Sequence, residues 1–121
     1  MHIKGFIEQQ LSDLFEFDEI LATLLIRVDG TILFSQLPET ADINIINGIE
    51  WIQNTTRIMA NELQTGNLKK LVVELQFGNV VIHVAGPNTV LVAVTKTRIN
   101  LGLLLIEISR RAMFIGKIDK W

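Results

Sequence analysis

The sequence of 121 residues has no cysteine, no tyrosine and only two prolines. Without cysteine the chain can form no disulfides and no zinc or iron sites with thiolate ligands. The longest apolar runs, such as LGLLLI at residues 101–106, are far shorter than the ~20 residues of a membrane-spanning helix. The first residues mix acids and glutamines with apolar side chains, which is not typical of a signal peptide. We therefore expect a cytoplasmic protein with no membrane span.

Charge of either sign is also sparse. The 11 basic and 13 acidic residues give a net charge of −2 and are scattered along the chain. The basic doublets Lys69-Lys70 and Arg110-Arg111 are too small to neutralise a row of phosphates, so we expect no nucleic-acid partner. The sequence has no glycine-rich phosphate loop and no nucleophile elbow. It therefore predicts no catalytic residues, no cofactor and no metal site.

Glu74 and His83 form the one pair of residues that could begin an active site. If Gly78 and Asn79 form a two-residue turn, the carboxylate of Glu74 lies directly opposite the imidazole of His83. Such a pair is the start of an acid–base site. Because the sequence offers no nucleophile or third group beside it, we interpret the pair as a cross-strand ion pair and keep an enzyme as an alternative.

Hydrophobic periodicity and turn signals predict eight elements. Helices are predicted for residues 2–18, for residues 48–63 and from Asn100 onward, and strands for 20–28, 31–36, 68–77, 80–86 and 89–95. The connections between consecutive strands are short, which favours antiparallel pairing. The last two strands are apolar at nearly every position, so both of their faces should be covered. We predict one domain, residues 1–121, that is an α/β/α sandwich with a five-stranded antiparallel sheet and the order α-β-β-α-β-β-β-α.

The middle helix, residues 48–63, carries apolar residues on two sides. Its core face is predicted to consist of Ile49, Ile52, Thr56, Met59, Ala60 and Leu63. Trp51 and Ile58 lie one above the other on a different side. Because 49% of the residues are hydrophobic, more than one small core buries, we interpret this second side as a dimer contact. The predicted dimer interface takes this side and alternate residues of the following strand: Trp51, Asn54, Thr55, Ile58, Glu62, Val72, Glu74 and Gln76.

The last helix also has apolar residues opposite its predicted core stripe, which consists of Leu101, Leu104, Leu105, Ile108, Ala112 and Ile115. Leu103, Ile106 and Phe114 fall on this outer side, together with Arg110. We predict that these four residues form a second partner surface. The doublet Arg110-Arg111 is interpreted as part of the solvated side of the helix, because an arginine that acts on a phosphate from a partner is a much rarer use of such a pair.

Three stretches of the chain resemble the roadblock domain family, which includes MglB-type bacterial proteins and dynein-associated light chains. They are LLIRVDGTIL, RIMANELQTGNLKKLVVEL and TVLVAVTKTRINLGLLLIEISRRA, and the resemblance covers roughly residues 5–116. The resemblance implies a homodimer, or a heterodimer with a paralogue, formed by pairing of the middle helices and of the edge strands at Lys70 to Gln76. It also implies a regulatory or scaffolding role toward a small Ras-like GTPase, without enzymatic activity.

Two further functions remain as alternatives. The first is a small-ligand sensor with a similar layered fold, which needs polar residues on core faces; Thr23, Thr56 and Gln10 are the candidates. The second is a subunit of a larger scaffold that has no GTPase partner.

Overall fold

The computed structural model describes residues 3–27, 31–37, 48, 54, 57–58, 61–87, 89–97 and 100–117. In this part of the chain the N-terminal helix spans Ile3–Phe15 and the C-terminal helix spans Leu101–Lys117. The strands are β1 (Ile20–Arg27), β2 (Ile32–Gln36), β3 (Lys70–Leu75), β4 (Gly78–Val84) and β5 (Thr89–Thr95). The described residues between 48 and 62 are all helical, as predicted for the middle helix.

The five strands form one antiparallel sheet in the order β2-β1-β5-β4-β3. Strands that follow each other in sequence are neighbours, except for β2 and β3, and the two sets of consecutive strands are joined by the pairing of β1 with β5. The predicted antiparallel sheet is therefore confirmed. This order leaves β2 and β3 at the two edges.

Two terminal helices cover one face of the sheet. Their apolar stripes meet inward-facing residues of β1, β4 and β5, because residues at the helical period share one side of a helix and alternate residues share one face of a strand. Each fully buried leucine or isoleucine contributes about 1.5–3 kcal/mol to the free energy of unfolding. The fully buried members of this first cluster include Ile7, Leu14, Leu25, Val81, Leu91, Ile108 and Ile115.

The opposite face of the sheet is buried as well. Its buried residues are Leu24, Ile26, Val80, Ile82, Val90 and Val92. Strands β4 and β5 are therefore covered on both faces, as their continuous apolar sequences predict. The middle helix is predicted to cover this second face, and most of its predicted core residues (Ile49, Ile52, Thr56, Met59 and Ala60) lie outside the described residues.

The hairpin between β3 and β4 turns two residues earlier than predicted. Leu75 pairs with Gly78, so the turn consists of Gln76 and Phe77. Gly78 belongs to β4, where a Cβ atom would lie 2.6 Å from the Thr95 carbonyl oxygen. The glycine therefore serves the close approach of β4 and β5 rather than the turn.

The observed register of β3 and β4 separates Glu74 from His83, the two residues of the hypothetical acid–base pair. Glu74 lies opposite Asn79, and His83 lies opposite Lys70. Glu74 and His83 remain on one face of the sheet, but about 13 Å apart along the strands. The predicted cross-strand pair was wrong.

The ends of two helices follow local hydrogen-bonding and backbone rules. The side-chain oxygen of Asn100 accepts a hydrogen bond of 3.1 Å from the Leu103 amide, which is the usual arrangement of an N-cap. The middle helix ends after Glu62, and Gln64 and Gly66 adopt φ angles of 55° and 88°. This reversal leaves Leu63 exposed. The prediction that Leu63 lies on the core face was wrong.

Candidate interaction surfaces

The described residues offer little for catalysis or metal binding. No three histidines or carboxylates among them lie close enough to hold a metal ion. The Nδ1 atom of His83 lies 2.9 Å from the carbonyl oxygen of Val84, the next residue of the same strand. Within the same ranges, no helix is long and apolar enough to cross a membrane.

Arg111 connects the two terminal helices. Its Nη1 donates a hydrogen bond of 2.8 Å to Oε1 of Gln10, and its Nε donates one of 3.0 Å to Glu107. Asp13 adds a carboxylate at 3.5 Å. The side chain of Arg111 is only 15% exposed. Its assignment to the solvated side of the helix was therefore wrong, because it lies in a largely buried ionic cluster.

The polar core residues give the small-ligand sensor uneven support. The hydrogen bond from Arg111 explains why Gln10 is buried. Thr56 lies outside the described residues. Thr23 is fully buried, and its hydroxyl has no hydrogen-bond partner in the described part of the chain. Of the two candidates within the described residues, Thr23 is the one that is buried without a structural explanation.

The described interface residues of the middle helix form one exposed stripe. Asn54, Ile58 and Glu62 follow each other at intervals of four residues and are all exposed. The side chain of Ile58 is 64% exposed. Trp51 and Thr55, the other predicted interface residues of this helix, lie outside the described residues.

The interface residues predicted on β3 lie at an edge of the sheet. Glu74 and Gln76 are exposed, and Gln76 belongs to the turn rather than to the strand. Val72 is partly buried and packs against the cluster under the two terminal helices. Leu71 and Val73 pack instead against the buried residues on the opposite face of the sheet. Val72 and Glu74 therefore lie on one face of the sheet, and the middle helix is predicted to cover the other.

The outer side of the C-terminal helix exposes apolar residues, as predicted. Leu103 and Ile106 are mostly exposed, whereas Phe114 is half-buried. The guanidinium of Arg110 lies 6.0 Å from the centre of the Phe114 ring, and Nζ of Lys117 lies 5.7 Å from it. Met113 is an exposed apolar residue of this helix that the sequence analysis missed. Its position beside the core residue Ala112 could have indicated it.

Comparisons with known proteins agree with this architecture. A family model described as AF0774-like protein matches residues 4–109. The uncharacterised protein MJ0310 of Methanocaldococcus jannaschii is 27% identical over 107 residues, which cover 88% of this chain and 93% of MJ0310.

Two solved structures are similar in fold. MglB of Myxococcus xanthus has a TM-score of 0.87 and 16% identity, with 95% of this chain and 88% of that chain covered. A Roadblock/LC7 domain of Streptomyces avermitilis has a TM-score of 0.75 and 16% identity, with 88% and 92% covered. The chain therefore has a roadblock-like fold, and at this identity the likeness shows the fold alone.

Proposed function

Because this chain belongs to the AF0774-like protein family and has a roadblock-like fold, we propose that it is a dimeric regulatory or scaffolding module that binds a small Ras-like GTPase. The observation that carries this proposal is the exposed stripe at Ile58 together with the open edge of β3. In the proposed assembly, which acts in the cytoplasm, a second copy or a paralogue covers both.

The stripe on the middle helix supports pairing with the same stripe of a second copy. In a two-fold interface both copies use the same surface patch, so the stripe around Ile58 of one copy contacts the same stripe of the other. Asn54 and Glu62 flank Ile58 and provide the polar rim that interfaces have. Trp51 is expected to extend this contact by two helical turns, because it precedes Ile58 by seven residues.

The edge of β3 supports a sheet that continues from one copy to the other. An edge strand exposes backbone amides and carbonyls that readily pair with another strand. Lys70 and Glu74 are the charged residues of β3, and proline does not occur in it. The sequence of β3 therefore does not block pairing with a second β3 strand.

We propose that the module acts on the GTPase by contact rather than by its own chemistry. The separation of Glu74 and His83 removes the one acid–base pair that the sequence offered. Arg111 is held by Gln10 and Glu107 and is not available as an arginine that reaches into a partner's active site. A scaffold subunit without a GTPase partner remains the alternative.

Light scattering of the wild type and of Ile58→Glu tests the dimer. We expect a wild-type mass of about twice 13.7 kDa and a dimer dissociation constant that Ile58→Glu raises at least ~10-fold, because the change places two carboxylates in an apolar contact. Trp51→Glu should have the same effect. Leu103→Glu, at a similarly exposed leucine of the C-terminal helix, is the matched control and should keep the wild-type mass. A monomeric wild type contradicts the dimer.

The GTPase partner is tested with a small Ras-like GTPase from the same organism. The purified GTPase is loaded with GDP or with a non-hydrolysable GTP analogue and mixed with the dimer. We expect a complex in one nucleotide state and its loss in Ile58→Glu if the dimer is the binding unit. Dimers that bind neither nucleotide state of any such GTPase contradict this part and favour the scaffold alternative.

A further inference from the structure

A groove runs along the C-terminal helix on the side that faces β3. One wall is Lys70 of β3, and the other is a stripe of the helix that consists of Gly102, Leu105, Ile106, Ser109, Arg110 and Met113. The groove has a volume of about 530 Å³. Ile106 is 66% exposed and Met113 is exposed to a similar degree. The wall therefore leaves apolar surface open to solvent.

This groove exists because two helices do not cover the full width of the sheet. The N-terminal helix packs on β1 and β2, and the C-terminal helix packs on β4 and β5. Strands lie about 4.8 Å apart and packed helices about 8–10 Å apart, so each helix covers about two strands. Neither helix packs over the fifth strand, β3, which lies beside the C-terminal helix, and Val72 of this strand is only partly buried.

We propose that this groove binds an amphipathic helix of a partner protein that carries carboxylates beside its apolar stripe. The wall residues recur at intervals of three and four, so the stripe follows the axis of the C-terminal helix. Such a straight stripe matches a second helix that lies alongside the first. Gly102 and Ser109 are small, alternate along the helix with the larger Ile106 and Met113, and allow the two helices to approach closely.

The groove fits a helix better than an extended segment. An extended segment needs hydrogen-bond partners for its own amides and carbonyls, and a helical wall offers only side chains. The edge of β3 could supply such partners, but the proposed dimer uses that edge. A helix satisfies its backbone groups internally. This step alone rests on the proposed function; the arguments from shape and charge do not.

The charges of the groove select the chemistry of the partner. Lys70 and Arg110 are the charged residues among the lining side chains, and both are basic. Glu107 lies 3.8 Å from Arg110, but it is engaged with Arg111 on the side toward the N-terminal helix. Glu74 lies on the same face of β3 as Lys70, four residues farther along. Basic walls favour carboxylates on the helix that binds between them.

A peptide selection tests this proposal. The first pool contains peptides of about 16 residues with leucines at helical spacing and with Glu, Gln or Lys at the flanking positions; as helices they span ~24 Å. The second pool is identical except for two prolines that break the helix. We expect enrichment from the first pool, with Glu at the flanks. Fluorescence anisotropy then gives the dissociation constant of the best peptide.

The variant Ile106→Ser should weaken that peptide at least ~10-fold, because it removes the most exposed apolar side chain of the groove. Leu63→Ser, at an equally exposed leucine at the end of the middle helix, is the control and should bind like the wild type. Circular dichroism confirms that both variants are folded. Equal binding to Ile106→Ser, enrichment of the proline pool, preference for Lys at the flanks or no enrichment each overturn the proposal.

The outcome can be separated from that of the proposed dimer. Ile106→Ser should keep the wild-type mass in light scattering, since its side chain belongs to neither β3 nor the middle helix. A monomeric wild type that still selects Glu-flanked helical peptides contradicts the dimer and retains the groove. A dimer that selects no helical peptide overturns the groove and retains the dimer.

Discussion

Gly116→Ala is expected to lower the free energy of unfolding by about 3 kcal/mol or more. Gly116 lies in the last turns of the C-terminal helix, against the loop that follows β4. A Cβ atom at this position would overlap with the Ala85 carbonyl oxygen and would lie 2.9 Å from its carbonyl carbon. Backbone atoms cannot rotate aside, so the helix or the loop after β4 must move. Because Ile115 and Ala112 hold this end of the helix in the core, the movement also loosens their packing.

The measurement is urea unfolding followed by circular dichroism at one protein concentration, since a dimer's stability depends on concentration. Gly5→Ala is the matched control. Gly5 is also helical, but nothing lies within 4 Å of a Cβ atom there. Alanine is the better helix former, so Gly5→Ala should raise the free energy of unfolding by up to about 1 kcal/mol. Effects of the same sign at both positions would contradict the packing argument.

Gly116 also illustrates what the sequence can and cannot predict. The periodicity of the C-terminal helix correctly placed Leu104, Ile108 and Ala112 toward the core. The same periodicity says nothing about Gly116, because a glycine near a helix end is more often part of a C-cap than a point of contact. The distance to Ala85 depends on how the helix lies across the sheet, and this information is not local in sequence.

The predicted turn of the β3–β4 hairpin was wrong for a related reason. Gly78-Asn79 has the residue types of a two-residue turn, and local chemistry alone would place the turn there. In the folded chain Gly78 lies against the Thr95 carbonyl, and Asn79 donates hydrogen bonds of 3.2 Å to Thr95 Oγ1 and 3.3 Å to the Lys96 carbonyl. Contacts with β5 therefore determine the register. Gln76 and Phe77 occupy the turn although neither residue type favours it.

The candidate surfaces were predicted more completely than the site chemistry. Exposure of Ile58, Leu103 and Ile106 follows from helical periodicity, which needs only the local sequence. Prediction of the groove beside β3 would have required the strand order, because β3 is left uncovered by the terminal helices only when it lies at an edge. The role of Arg111 required a contact with Gln10, which lies 101 residues away in sequence.

Arg111→Ala is expected to lower the free energy of unfolding by about 2–3 kcal/mol. Removal of one partner from a buried ion pair costs about 3–5 kcal/mol, and an exposed pair contributes at most about 1 kcal/mol. Arg111 and Glu107 are 15% and 18% exposed, so the effect should fall between these limits, nearer to the buried case. The truncation leaves the Gln10 carbonyl and the Glu107 carboxylate without their donor in a largely desolvated space. Urea unfolding of the variant provides the value.

The neighbouring arginine is the matched control for this prediction. Arg110 lies 3.8 Å from the same Glu107 carboxylate, but its side chain is 61% exposed. Arg110→Ala should therefore cost less than about 1 kcal/mol, including the loss of its contact with the Phe114 ring. A double-mutant cycle of Arg111→Ala with Glu107→Gln should give a coupling energy of at least about 1 kcal/mol, because the two side chains share a hydrogen bond. If Arg110→Ala and Arg111→Ala lower the free energy of unfolding by the same small amount, the ionic cluster does not hold the terminal helices together. Their packing then rests on the apolar residues that include Ile7, Leu14 and Ile108.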